Sequence, residues 1–253
     1  MLSFLLSLAQ RIPVRPRHKM WLSTGQFLDI FPRSDVKMLQ DALMLYVGLK
    51  EGVEFKSQYM QDLIAFAYFK GMRDGFYVDI GAHDGVLGSN TFAFEQLGWQ
   101  GFCVEPNPEI YALLRKNRAC DAYEFAVTAS SGDTVDFMRF KGTGIDSQLS
   151  VIVDPTARSQ KRSGNKEIIK VKTTTFEELM AHYPGVTHID VLSIDTEGYE
   201  LSILKTIDFA RYSFGLFIVE ANSADIPVFL ASKGYRLLAQ LGGDGLFIRQ
   251  TAH

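Results

Sequence analysis

Cysteine is nearly missing from this chain. Two thiols, Cys103 and Cys120, are all that 253 residues contain. They stand apart in sequence, which excludes a disulfide framework and a Cys-rich zinc site. Cys103 falls inside an apolar run and reads as a buried, reduced thiol, so cysteine usage fits a reducing, cytoplasmic compartment. No apolar run reaches the ~20 residues that cross a bilayer. An excess of charge of one sign is also missing: the net value is −3, which gives no general case for nucleic-acid binding. Internal repeats and low-complexity blocks are absent as well.

The N-terminal stretch "MLSFLLSLAQRIPVRPRHKMWL" puts its apolar residues first and Arg11, Arg15, Arg17 and Lys19 after them. That order is the reverse of a secretory signal. It allows a short helix packed on the domain or a frayed arm. It also allows weak contact of residues 1–20 with an anionic membrane surface.

What is present is a core-forming chain, 47% apolar and 22% charged. Helical spacing marks "VKMLQDALMLYVGLK" and "SQYMQDLIAFAYFKG", the latter closed by Gly71. From Gly75 onward strands and helices alternate. "FYVDIGA", "GFCVEP", "YEFAVT", "IDVLSID" and "FGLFIVEA" read as strands. "SNTFAFEQLG", "NPEIYALLRKNR", "FEELMAHY", "YELSILKTI" and "IPVFLASKG" read as helices. Asn107 is placed as an N-cap, with Pro108 in the first helical position. "TVDFMRF" and "EIIKVKTTT" alternate like half-exposed strands. "YRLLAQL" and "GLFIRQ" form a closing hairpin around "GGDG". This order predicts an α/β fold: a mostly parallel sheet with helices on both faces and one antiparallel hairpin strand at or near an edge. Lys141–Glu167 fits neither period and reads either as a loop over the functional edge or as surface disorder.

Acids recur where strands end: Asp79, then Glu105, then Asp195 and Glu197, then Glu220 with Asn222 close behind. Open parallel sheets bind ligands at that edge. Gly81 and Gly85 permit a tight turn close to a ligand. Glu105 fits a ribose diol acceptor. The turn Gly81-Ala82-His83-Asp84-Gly85 lacks both the third glycine and the positive charge of a dinucleotide site. With Asp79 and Asp84 around it, the turn suits a ribose joined to a cationic amino-acid tail, as in S-adenosylmethionine.

On "SQYMQD", "YVDIGAHDGVLGSNT", "GWQGFCVEPNP", "VKTTTFEEL" and "DVLSIDTEGYELSIL", in that order, the chain resembles the FkbM-type methyltransferases. The resemblance spans roughly residues 55–250. It divides the chain into a helical extension, 1–54, and a methyltransferase domain, 55–253. It implies a Rossmann-like class I fold with a seven-stranded sheet, and methyl transfer, usually to a hydroxyl oxygen of a sugar, glycan or other small molecule. Carried over by position, the cofactor site is Asp79, Gly81, Ala82, His83, Gly85 and Asn90, with Glu105 and Pro106 at the ribose. Ala126 and Val127 would flank the adenine, and Asp195 would face the methyl group. His83 stands where the family often has asparagine, so its imidazole has no inherited role.

A hydroxyl acceptor needs help with its proton. Asp195, Glu197, Glu220, His83 and His188 are the candidates for a general base. The three acids among them could instead hold a hard cation such as Mg²⁺, although no ligand motif of diagnostic spacing supports a metal. Glu197 and Glu200 also suit the start of a helix without catalysis. The basic residues Lys141, Arg158, Lys161, Arg162 and Lys166 could read an anionic acceptor or form a solvated face. Trp99 and Tyr199 suit packing or sugar stacking. Two alternatives stay open: a nucleotide-dependent oxidoreductase using the Glu105 strand, and an inactive methyltransferase fold serving in assembly.

Overall fold

The structure, a computed structural model, describes residues 33–140, 150–153, 166–221 and 223–250, with side chains from Gln40 onward. The proposed membrane contact in residues 1–20, Asn222, and most of the 141–167 connection lie outside the described residues. No described helix is long and apolar enough to cross a membrane.

Helices α1 (Arg33–Glu51) and α2 (Gln61–Tyr68) precede strand β1 (Phe76–Ile80). Then come α3 (Phe92–Gln96), β2 (Gln100–Val104), α4 (Pro108–Asn117) and β3 (Asp121–Tyr123). After an inserted segment, β8 (His188–Ile194), α6 (Glu200–Thr206), β9 (Ser213–Glu220), α7 (Asp225–Ser232), β10 (Tyr235–Leu241) and β11 (Asp244–Arg249) complete the sheet. Its order is β10-β11-β9-β8-β1-β2-β3, seven strands. All neighbours are parallel except β11, which runs antiparallel to both β9 and β10. The hairpin thus folds back so that β11 lies inside and β10 forms the edge.

The central strands are apolar without alternation because both faces are covered. All five residues of β1 are buried. On one face Leu192, Ile194 and Phe217 pack against Ile203, Leu204 and Leu230 of α6 and α7. On the other, Tyr77, Cys103 and Val191 pack against α2 and α3 through Phe66 and Phe94. Met44 and Val47 of α1 join that second cluster. Trp99 is buried there too, with its indole N–H donated to the Met72 carbonyl at 2.9 Å and its ring against Phe94. Its role is packing.

The inserted segment forms a second sheet. Strands β4 (Ala126–Val127), β5 (Thr134–Phe140), β6 (Val151–Ile152) and β7 (Lys166–Thr174) lie in the order β4-β7-β5-β6, and β7 leads into α5 (Phe176–Met180). The apolar run "YEFAVT" is therefore not one strand. Tyr123 ends β3 in the large sheet, and Ala126 starts β4, which pairs with Thr173 of β7. Asn107 caps α4 as expected, accepting from the Glu109 N–H at 3.2 Å.

Candidate active site

A cleft of about 320 Å³ opens at the carboxyl ends of the parallel strands, where strand order reverses between β1 and β8. β1 delivers Asp79, buried, whose carboxylate accepts the Thr91 hydroxyl at 2.6 Å. Burial raises its pKa, opposed by the hydrogen bond from Thr91, the Arg118 charge and a hydrogen bond from Ser193.

Beyond Ile80 the chain must turn without leaving the sheet. Gly81 takes φ +85°, and a Cβ there would collide with the main-chain carbonyl of Asp195 at the end of β8. Glycine therefore lets the two strand ends lie in contact. The N–H groups of Gly81 and Ala82 both donate to the Val104 carbonyl of β2, at 2.9 and 3.0 Å. His83 follows at φ +51° and donates its N–H to Glu105 Oε2 at 3.1 Å, while Asn107 N–H donates to Oε1 at 2.8 Å. Each oxygen of Glu105 keeps acceptor capacity beyond these bonds. Burial pushes this carboxyl up to about 7, against the Asn107 amide and the amide and ring of His83.

Two residues of the turn do other work. Gly85 does not line the cleft; a Cβ there would strike Arg118 and Leu114. Asp84 does not line it either. Its Oδ1 accepts from the N–H groups of Val86 and Leu87, at 2.9 and 2.7 Å. Partial burial would raise its pKa, but the His83 ring and these two amides hold it at about 2. Of the two acids read around the turn, only Asp79 faces ligand space.

Behind the turn sits Arg118, with a fully buried side chain. It donates to Glu95 at 2.8 Å, the Tyr77 hydroxyl at 2.8 Å, the Gly85 carbonyl at 3.1 Å and the Thr91 hydroxyl at 3.2 Å. Nothing in the sequence pattern marked it. Asn90 lines the cleft, 9% exposed, and donates to Ser193 at 3.2 Å, while its buried Oδ1 has no partner among the described residues.

Across the cleft, Asp195, Glu197 and Glu220 each bring a carboxylate oxygen within 4.8 Å of the others. Asp195 has its pKa raised well above the usual range by burial and by the charges of Glu220, Asp244, Glu197 and Glu200. Its side chain is nevertheless open to water, so the neighbouring carboxylates are the firmer cause. Glu197 sits at φ +59°, an uncommon conformation for a residue with a Cβ. Glu200 is buried and folds back to accept from Thr196 N–H, Thr196 hydroxyl and Gly198 N–H, each at 2.9 Å. It is a brace for the loop.

Asp244 is a sixth cleft acid, one that strand-end reasoning missed. β11 runs antiparallel, so its first residue lies at the edge where parallel strands end, paired with Glu220. The signal was there in "GGDG", read only as a turn. Gln61 donates to Asp244 at 2.5 Å, and Gln58 and Tyr59 line the cleft beside it. The stretch "SQYMQD" is thus a wall of the site as well as a helix start. Ala126, Val127 and Pro106 line it, joined by Phe125, Phe137 and Ile152 from the inserted segment. His83 lines the cleft. His188 does not: it starts β8, at the far end of the strand from Asp195, with Nδ1 2.9 Å from the Ser213 hydroxyl.

The methyltransferase FkbM domain family matches residues 79–237, more than half of the chain. No curated protein matches it. Among solved structures it is similar to the methyltransferase FkbM of Methylobacillus flagellatus at 12% identity and a TM-score of 0.44, over 78% of this chain and 48% of that one. The TehB-like SAM-dependent methyltransferase of Corynebacterium glutamicum aligns at 10% identity and a TM-score of 0.39, covering 83% and 97%. A precorrin-6y C5,15-methyltransferase of Geobacter metallireducens aligns at 12% and 0.37, covering 76% and 87%. The assignment rests on the domain match, not on these likenesses. The chain belongs to the methyltransferase FkbM domain family and is an S-adenosylmethionine-dependent methyltransferase of that type.

Proposed function

We propose that the protein methylates a hydroxyl oxygen on a neutral, polyhydroxylated acceptor such as a sugar or glycan. One observation carries this reading. A single cleft holds a buried strand-end carboxylate, Glu105, on one side and the Asp195–Glu197–Glu220 group on the other.

The residues fit the cofactor. Glu105 has acceptor capacity for a ribose diol. Asn90 Oδ1 is a buried acceptor awaiting a donor. Gly81 leaves the turn without a side chain. Pro106, Ala126 and Val127 offer an apolar slot for a base. When bound, S-adenosylmethionine supplies an electrophilic methyl group.

The chain's own residues then align the acceptor and take its proton. Among the cleft acids Asp195 fits the base: crowding by like charges makes its carboxylate a stronger proton acceptor than an ordinary aspartate. Glu197 and Glu220 each bring a carboxylate oxygen within 4.8 Å of it. The same spacing admits a hard cation, but no further feature of the described residues points to one. The oxidoreductase alternative is left without support by the family match.

Calorimetric titration with S-adenosylhomocysteine, with NAD as comparator, tests the cofactor half. Binding of the thioether nucleoside, no binding of NAD, and at least about tenfold weaker binding by Glu105→Ala are expected. Binding of NAD alone would remove the reading.

A further inference from the structure

The two cysteines that look unrelated in sequence meet in the fold. They are 17 residues apart, separated by one strand–helix–strand crossover, and their sulfur atoms lie 3.6 Å from each other. β2 and β3 are adjacent and parallel, with Cys103 opposite Ala122. Cys120, two residues before Ala122, therefore lies on the same face as Cys103. Cys103 is buried, whereas Cys120 is partly exposed.

The geometry points to Cys103 and Cys120 as a redox-active dithiol, a modification site for peroxide, whose disulfide loosens the cofactor cleft. The thiols divide the work. Cys120 is reachable, and its pKa is lowered by the hydrogen bond with Cys103, against burial, with the Arg118 charge and Tyr77 adding to the effect. Cys103, pushed well up by burial, stays protonated as the resolving partner. The Cys120 thiolate attacks the peroxide O–O bond. An S–O bond forms, hydroxide leaves, and proton uptake makes it water. The Cys103 sulfur then attacks the sulfenic sulfur. An S–S bond forms, the S–O bond breaks, and the Cys103 proton leaves with the hydroxide as a second water.

Closing the pair to about 2.05 Å requires the sulfurs to approach by roughly 1.5 Å. Cα–Cβ rotation, which swings each sulfur, and movement of the segment before β3 supply that approach. Arg118 stands in this segment and holds the Thr91 hydroxyl, which in turn donates to Asp79 in the cleft. Arg118 also holds the Gly85 carbonyl at the back of the glycine turn. Strain at Cys120 is thus passed to the cofactor side of the site through one buried cation. The link to the cleft rests on the cofactor reading above; the thiol chemistry does not.

The full chain would be treated with hydrogen peroxide, alkylated and weighed intact, then titrated with S-adenosylhomocysteine before and after dithiothreitol. Expected are a loss of about 2 Da with neither thiol alkylated, reversed by the reductant, and an affinity at least about fivefold weaker in the oxidised form. Cys120→Ser, at a partly exposed position, should show neither change, and Cys103→Ser should match it if it folds. Alkylation of both thiols after peroxide, or oxygen adducts on Cys120 with no link, would overturn the dithiol. A link with unchanged affinity would overturn its coupling to the cleft. Reduced protein that fails to bind the nucleoside would remove the cofactor reading and the coupling together, while the mass result still decides the dithiol.

Discussion

At Glu105 the fold holds a carboxyl group where its charge is costly. Burial lifts the group from 4.5 to about 7 in the folded chain. Between those values the folded protein keeps a proton that the unfolded chain has lost. Stability is therefore highest below pH 4.5 for this group and falls as pH rises towards 7, by about 3 kcal/mol in all. Binding runs the other way, since a ribose diol donates to the carboxylate. Affinity for S-adenosylhomocysteine should rise from pH 6 to 8, and Glu105→Gln should flatten both dependences; denaturant curves and calorimetry at several pH values check this. At Asp195 the expectation concerns rate. Asp195→Asn should lower turnover by roughly 10²–10⁴-fold and leave nucleoside affinity within about threefold. An equal loss in both would make Asp195 a cofactor ligand instead. That Glu105 and Asp195 would reach the strand-end cleft was legible in the sequence because each follows an apolar parallel strand at its carboxyl end. Asp84 was misread because a carboxylate in a turn can face a ligand or its own amides, and sequence does not say which. Cys120 was missed because pairing across a crossover has no spacing of its own.

Elements decide how firmly those residues are held. The loop Thr196–Gly198 carries Glu197 into the acid group, and the first residue of α6, Glu200, holds it with three hydrogen bonds. Glu200→Ala leaves two amides and a hydroxyl without that acceptor and should lower stability by about 2 kcal/mol. Turnover should fall more than nucleoside affinity does, because the displaced acids lie on the side proposed for the acceptor. Glu200→Gln keeps one accepting oxygen and should recover most of both. Thermal unfolding and steady-state assays of the pair separate a brace from a helix-dipole acid, for which Gln would behave like Ala. The parallel strands and the capped helix α4 could be read in advance, since continuous apolar runs and an Asn-Pro pair have local causes. The split of "YEFAVT" between two sheets could not. Both halves have strand character, and only the pairing of Ala126 with Thr173, far along the chain, decides which sheet each joins. The second sheet has the same origin: alternation shows that β5 and β7 are half-exposed, not that they pair in a sheet whose β4, β5 and β6 reach the cleft.

Over the whole molecule the charge is nearly balanced, at −3, yet the cleft is not. Asp79, Glu105, Asp195, Glu197, Glu220 and Asp244 line it, and no described lysine or arginine does. Burial raises the pKa of Asp79, Glu105, Asp195 and Asp244, so the six do not all carry charge together. The charges present in a recess still act on an approaching acceptor more strongly than the net charge implies. On the proposed reading a cationic sulfonium would be drawn in, a neutral polyol tolerated, and a phosphate ester repelled by the acids of the cleft. With an accepting sugar in hand, its phosphate ester should show kcat/KM at least about tenfold lower at 0.01 M salt. The gap should narrow at 0.15 M, as the screening length falls from about 30 to about 8 Å. Equal or better turnover of the ester would move the acceptor's recognition to Lys141, Arg158, Lys161, Arg162 and Lys166, of which only Lys166 is among the described residues. A gap that ignored salt would point to shape rather than charge as the reason the cleft refuses the ester.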